Sequence, residues 1–402
     1  MKILQVVSTP PFAWSSGGCA RAVYEISKAL ARKGHEVTIL TTDIHGPGDC
    51  FPSLRIDEVV DGVRIVRAKH ISDWLAWKHK LYLSPGATIF LRKHVRGFDV
   101  VHLQDLLSIL AISTERYCVR LKVPYVLTTH GSIGWLLDPK LMNRLYLRVF
   151  GTRIIKSASR VLALSNSEAG QYKLIGIPNR ITEIVPNAID AEEFKNLPSK
   201  GEFRDMYKIP MNEPVILSLG RLHRIKGLDM LLEAFSESIK DTSANSKLVI
   251  VGPDDGFLHT LEKMVLDLGI ENRVIITGPL YDRAKLGAFV DASVFVLSSI
   301  YETFPNTVLE SWACGTPVIA TDRCGIANLI EGAGLVVRHS ADDLGKGIRK
   351  MLSDEELRTK LSSEGKSRVM NEFVWSRVVS NVERIYEEVI AEQKLRSSFY
   401  VS

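Results

Sequence analysis

The chain's strongest constraint is an alternation of short, unbroken apolar runs with stretches of helical periodicity, and the alternation starts twice. In the first half the apolar runs fall at residues 3–8, 37–40, 63–66, 100–103, 125–129 and 161–164. Helical patterns separate most of them, as at 20–32, where Ala22, Val23, Ile26 and Leu30 share one face and Gly34 follows. A strand that is apolar on both faces is buried on both, so these runs predict a parallel sheet covered by helices on each side. After a Pro- and Asn-punctuated stretch, Val185-Pro186-Asn187-Ala188-Ile189-Asp190 through Leu197-Pro198, the pattern begins again. Strands are expected at 215–219, 248–251, 274–276, 294–297 and 318–320, with helices at 228–239, 257–268, 283–290 and 307–313. The 402 residues suit two such domains at roughly 150 residues each. A last long amphipathic helix, 374 to about 394, need not belong to the domain it follows.

Composition removes other classes. With 46% hydrophobic and 24% charged residues the chain is an ordinary globular protein, and no low-complexity tract suggests disorder. No run reaches about 18 apolar residues, so no membrane-spanning helix is expected. The opening MKILQVVSTPPF lacks the longer apolar stretch and cleavage site of a signal peptide and reads as a first strand. Five scattered cysteines, Cys19, Cys50, Cys118, Cys314 and Cys324, form no CxxC pair, which excludes zinc ribbons and thioredoxin-like chemistry and favours a cytoplasmic address. Charge is uneven. Residues 1–200 carry 27 Lys+Arg against 17 Asp+Glu, and residues 201–402 carry 24 against 29, so the first half faces something anionic.

In doubly wound sheets, ligands gather past the carboxyl ends of the strands. Four constellations lie there. Ser218-Leu219-Gly220-Arg221-Leu222-His223-Arg224-Ile225-Lys226-Gly227 puts two cations, Arg221 and Lys226, in one short loop. A guanidinium fork and a compact ammonium together suit a diphosphate. Gly227 stands where a Walker loop needs Ser or Thr after the lysine; read alone, this is also a solvated basic loop. In Glu302-Thr303-Phe304-Pro305-Asn306-Thr307-Val308-Leu309-Glu310 two carboxylates stand eight residues apart, so both fit one face of a starting helix whose N–H groups make an anion site. Gly17-Gly18 lets a ligand approach the backbone, or is an ordinary βα turn. His130 in Thr128-Thr129-His130-Gly131 is a candidate catalyst by position, although a lone histidine is more often structural.

Taken in order and spacing, these motifs resemble the retaining GT-B glycosyltransferases of family 4, glycosyltransferase group 1. The likeness runs through Gly17-Gly18, Thr129-His130-Gly131, Val185-Pro186-Asn187-Ala188-Ile189-Asp190 with Phe194, Gly220-Arg221 with Lys226-Gly227, Glu302 to Glu310, and Cys314-Gly315-Thr316-Pro317-Val318-Ile319. The resemblance implies two Rossmann-like α/β domains facing across a cleft, with the C-terminal helix crossing back. An acceptor domain would span 1–190 plus 376–402 and a nucleotide-sugar domain 191–375. It implies a catalytic set of His130, Glu302, Arg221 and Lys226. The donor, a UDP- or GDP-linked hexose, would be held by Gly17, Gly18, Gly220, Arg221, Lys226, Leu280, Glu302, Asn306, Thr307 and Glu310. Within that set the two cations meet the diphosphate, Glu310 the ribose and Glu302 the sugar, with no metal and no further cofactor. The chain departs from the usual family pattern at Thr303, Pro305, Ala188 and in Cys324-Gly325-Ile326-Ala327-Asn328.

The acceptor side has its own signal. Residues 139–167 hold six basic residues and no acidic one, with Lys140, Arg144 and Arg148 four apart on one helical face beside Leu141, Leu145 and Val149. Trp74 and Trp77 add aromatics among lysines upstream. This composition suits an anionic membrane surface on the cytoplasmic side, and equally a core helix with a solvated basic face. The expected acceptor is a lipid-linked glycan or glycolipid, and no nucleic-acid motif accompanies the charge. The alternatives are a soluble disaccharide-forming enzyme, a nucleotide-sugar 2-epimerase, or a non-catalytic GT-B-like binding subunit.

Overall fold

A computed structural model describes residues 1–11, 18–44, 56–72, 74–75, 82–137, 141–240 and 245–399. The chain divides into two compact units, Met1–Asn187 with Trp375–Ser402, and Ala188–Val374.

The first unit is built on β1 (Lys2–Val6), β2 (Glu36–Thr42), β3 (Asp57–Val60), β4 (Val63–Ala68), β5 (Val100–Leu103), β6 (Tyr125–Thr128), β7 (Arg160–Ala163) and β8 (Thr182–Ile184). These form one sheet in the order β3-β4-β2-β1-β5-β6-β7-β8. Every neighbouring pair is parallel except the edge pair β3–β4. The apolar runs explain the parallel core: β5 and β6 are buried at every residue. Helices α1 (Gly18–Arg32) and α2 (Ile109–Leu121) help cover it, the latter capped by Ser108, whose hydroxyl accepts from the Ala111 N–H at 3.0 Å. Two strands of this sheet were not expected from sequence. β3 is an exposed edge, with Val59 70% accessible, and β8 is three residues long, so neither carries the buried apolar run that betrays the others.

The basic stretch is helical but not one α-helix. After α3 (Leu141–Tyr146) the backbone widens into a π turn, Leu147–Gly151, before a short α-helix Thr152–Ser157. Thr152 donates both its N–H and its hydroxyl to the Leu147 carbonyl, five residues back, which fixes the wide turn. The four-residue spacing therefore does not describe a continuous α-helical stripe. The Tyr146 hydroxyl seats the segment by donating to the Leu106 carbonyl at 2.6 Å.

The second unit orders β9 (Val215–Leu219), β10 (Lys247–Val251), β11 (Val274–Gly278), β12 (Val294–Leu297), β13 (Val318–Thr321) and β14 (Leu335–Val337) as β11-β10-β9-β12-β13-β14, all parallel. Counted within the unit this is the doubly wound order 3-2-1-4-5-6, which reverses between β9 and β12. Leu231, Leu232, Phe235, Ile216, Ile250 and Val296 centre the core on one face of this sheet.

The chain's last long helix, α4 (Trp375–Phe399), belongs to the first unit. Val378, Val379, Val382, Ile385, Tyr386 and Val389 are buried along it. Three ion-pair groups fasten it: Glu383 to Lys33 and His35, Glu392 to Arg160, and Arg384 to Glu183.

Candidate active site

The second unit's topological switch point collects most of the expected donor residues. β9 ends at Leu219, and Gly220 and Arg221 follow at once. A short 3₁₀ turn, Arg224–Lys226, then leads to Gly227 and helix Leu228–Lys240. The turn is capped by the His223 ring, whose Nδ1 accepts the Ile225 N–H at 3.1 Å. Gly227 has φ +61°, and a Cβ there would stand 2.2 Å from the Ser298 carbonyl oxygen, so only glycine fits. That crowding reflects how tightly this loop is stitched to the one after β12. The Ser298 hydroxyl donates to the Lys226 carbonyl at 2.9 Å, and the Ile300 N–H donates to the Ile225 carbonyl at 2.8 Å. Residues Ser218, Gly220, Arg221, Lys226, Ser298 and Ser299 line one pocket here.

Each charged residue expected to meet the donor is oriented by another charge. Lys226 Nζ donates to Glu302 Oε2 at 2.6 Å, and both side chains are mostly shielded. The Arg221 guanidinium pairs with Asp255. Glu310 is buried and accepts from Lys285 Nζ at 2.9 Å. Asp255 closes a loop, 252–255, expected to lie past a strand's carboxyl end, whereas Lys285 carries no signal in the sequence, because it sits in a different βα segment from Glu310.

Glu302 and Glu310 do not share a helix face. The helix spans Asn306–Ala313 with Pro305 as its N-cap, so Glu310 lies one turn inside and Glu302 lies in the loop before it. Pro305 has no N–H, and its extended backbone leaves Asn306 as the first helical residue. Glu302 is tied instead to Cys324 by a parallel bridge, and its carbonyl accepts the Gly325 N–H at 2.6 Å. A Cβ at Gly325 would stand 2.5 Å from the Thr303 carbonyl, which explains the glycine kept in that stretch. Burial first, and the Glu302 charge also, push the Cys324 thiol up to about 12, so it is no nucleophile. Asn306 and Thr307 begin the helix half-buried, and Leu280 follows β11, also half-buried.

The remaining expected residues belong to the first unit. Gly18 opens α1 and is exposed; Gly17 lies outside the described residues. His130 follows β6 in the left-handed region at φ +48°, and its Nε2 lies 2.8 Å from Gln104 Oε1. The buried Glu168 clamps this loop. It accepts from the Thr129 hydroxyl at 2.8 Å, the Gly131 N–H at 2.7 Å and the Leu164 N–H at 2.7 Å. Burial raises its carboxyl and these bonds oppose the rise. The sequence carried a hint: Ser165-Asn166-Ser167-Glu168 reads as a capping box, and Ser165 does cap the helix, but Glu168 turns to the His130 loop.

Of the residues expected at a membrane surface, Arg144 and Arg148 are exposed, and beside them in sequence so are Leu145 at 53%, Val149 at 49% and Phe150 at 40%. Trp74 is exposed as well; Trp77 and Lys140 lie outside the described residues. No helix among the described residues is long and apolar enough to cross a membrane, and none of their His, Cys, Asp or Glu side chains cluster in threes as a metal site would need.

Two family models match in series: Glycosyltransferase Family 4 over residues 16–193 and Glycosyl transferases group 1 over residues 199–368. The chain belongs to glycosyltransferase family 4. This glycosyltransferase is 26% identical over 387 residues to an uncharacterized glycosyltransferase of Methanocaldococcus jannaschii, covering 92% of this chain and 94% of that one. It is 25% identical over 391 residues to N-acetyl-alpha-D-glucosaminyl L-malate synthase of Bacillus anthracis, covering 94% and 96%. Among solved structures, Anabaena HepE in complex with UDP and glucose superposes with a TM-score of 0.78 at 17% identity, covering 96% of this chain and 100% of that one. The glycosyltransferase thus has the GT-B fold, two Rossmann-like domains in one chain.

Proposed function

We propose that this glycosyltransferase moves a hexose from a UDP- or GDP-linked sugar to an acceptor hydroxyl, with retention and without a metal ion. The observation that carries the reading is the pairing of Lys226 with Glu302, the lysine lining one pocket with Gly220, Arg221 and Ser298 at the β9/β12 reversal. As the glycosidic bond breaks, negative charge grows on the leaving diphosphate. Arg221 and Lys226 answer it with fixed cations, the role a divalent ion would otherwise fill. An ammonium has three donors and Glu302 takes one, so Lys226 is aimed before the ligand arrives. Glu302 then faces the sugar and Glu310 the ribose hydroxyls. The N–H groups of Asn306 and Thr307, at a helix start, favour the phosphates, with Gly18. His130 serves the reacting face of the sugar. The HepE complex with UDP and glucose supports a nucleotide-sugar donor for this fold.

The acceptor we propose is a lipid-linked glycan or glycolipid met at an anionic membrane surface on the cytoplasmic side. The exposed Arg144, Arg148, Leu145, Val149 and Phe150 support it, since cations and apolar side chains together suit that interface. A second reading, a small soluble acceptor, is favoured by the malate synthase likeness.

Calorimetric titration with UDP and with GDP, in the presence of a chelator, tests the donor half. Binding of one base at roughly micromolar Kd is expected and names the donor class. Failure of both to bind with chelator, and equally with added magnesium, would overturn the donor assignment.

A further inference from the structure

The proposed function leaves unused a buried run of polar side chains that joins the C-terminal helix to His130. The Tyr386 hydroxyl lies 2.6 Å from His102 Nδ1 and 3.2 Å from Gln5 Nε2. His102 Nε2 lies 2.8 Å from the Thr128 hydroxyl. Gln104 Nε2 lies 2.8 Å from Gln5 Oε1 and 3.0 Å from His102 Nδ1, and Gln104 Oε1 lies 2.8 Å from His130 Nε2. Gln5, His102, Gln104, Thr128 and Tyr386 are each 3% exposed or less. Side chains so buried must satisfy one another.

The chemistry of each group gives the run a direction. An amide nitrogen only donates, so the Tyr386 oxygen accepts from Gln5, and His102 Nδ1, faced by the Gln104 amide nitrogen, carries no proton and takes that of the Tyr386 hydroxyl. That nitrogen is then a bare acceptor and also takes the Gln104 amide N–H. With its nitrogen committed to Gln5 and His102, Gln104 turns its carbonyl oxygen to His130. A carbonyl oxygen only accepts, so His130 carries its proton on Nε2 and keeps a lone pair on Nδ1.

We infer that Tyr386 is a positioning residue for sugar transfer: acting through His102 and Gln104, it holds His130 as the Nε2–H tautomer, with Nδ1 an acceptor for a sugar hydroxyl. This rests on the proposed place of His130 beside the sugar. Burial agrees with a neutral ring at both positions, pushing His130 down to about 4 and His102 down to about 3.

The test combines spectra with kinetics on the full chain. Long-range ¹H–¹⁵N histidine spectra, assigned with His102→Gln and His130→Gln, are expected to show Nε2–H at both rings. Tyr386→Phe should move His130 toward mixed tautomers, and so should Gln104→Met, which leaves Tyr386 in place. Turnover is read as release of UDP or GDP from UDP-glucose or GDP-mannose. Tyr386→Phe should lower kcat about three- to tenfold with KM little changed, the size of one buried hydrogen bond. The same change in a His130→Ala background should cost nothing further. An unaltered His130 spectrum in both variants, or an equal kinetic cost in both backgrounds, would overturn the inference. A proton on His130 Nδ1 in the parent protein would overturn it too, since both amides would then be turned the other way. Full turnover by His130→Ala would instead overturn the place of His130 beside the sugar, and the spectra would still decide whether Tyr386 sets its tautomer.

Discussion

At the scale of single residues, the site is made of charges that aim other charges. Lys226 is the sharpest case, because its ammonium is positioned by Glu302 while its backbone is pinned by Ser298. Lys226→Ala is expected to cut transfer by about 10²–10³-fold while circular dichroism and the melting profile stay native, a loss typical of one preorganised transition-state partner. The Lys285–Glu310 pair makes a different prediction, since both side chains are nearly buried. Lys285→Met strands a carboxylate and should cost about 3–5 kcal/mol of stability in urea titration. Adding Glu310→Gln should recover most of that stability but not the nucleotide affinity, which separates holding the fold from holding the ligand. Of these residues the sequence displayed Arg221, Lys226, Glu302 and Glu310, because they cluster in two short segments. It hid Lys285 and Glu168, and of Asp255 it showed the loop but not the partner, because an ion pair or clamp across 25 to 39 residues leaves no local spacing to read.

At the scale of elements, legibility followed burial. β5, β9 and β12 fall where the apolar runs put them, to the residue. β3, β8 and β14 went unseen: each is three or four residues long and none is buried throughout. The basic segment was legible as helix but not as a π turn, since that geometry depends on a bond from Thr152 to Leu147. Its two exposed arginines carry the membrane prediction. Each basic residue near an anionic surface is worth about 1 kcal/mol, so Arg144→Gln with Arg148→Gln should weaken partition onto anionic vesicles about 30-fold. Sedimentation with anionic and with neutral vesicles measures this. Equal recovery with both, in the parent protein, would leave the surface as a solvated face.

For the molecule as a whole, the buried histidines set an acid limit. His102 and His130 titrate near 3 and 4 when folded, against about 6.5 in the unfolded chain. Between those values the unfolded chain binds more protons, so stability is full above about pH 6.5 and falls as pH drops toward 4. The slope is at most about 1.4 kcal/mol per pH unit for each histidine, and His102, wholly buried, carries the larger share. Thermal melts from pH 7 to 5 should show the loss, and His102→Gln should flatten it. The seating of α4 in the first unit also sets an order in time. A ribosome releases residues 1–187 and then all of residues 188–374 before it makes Tyr386 and the valines that fill the first unit. The second unit, continuous in sequence, is free to fold as it emerges, whereas the first must wait with an open seam until the helix Trp375–Phe399 is translated. A helix translated after the whole of the second unit therefore finishes the first.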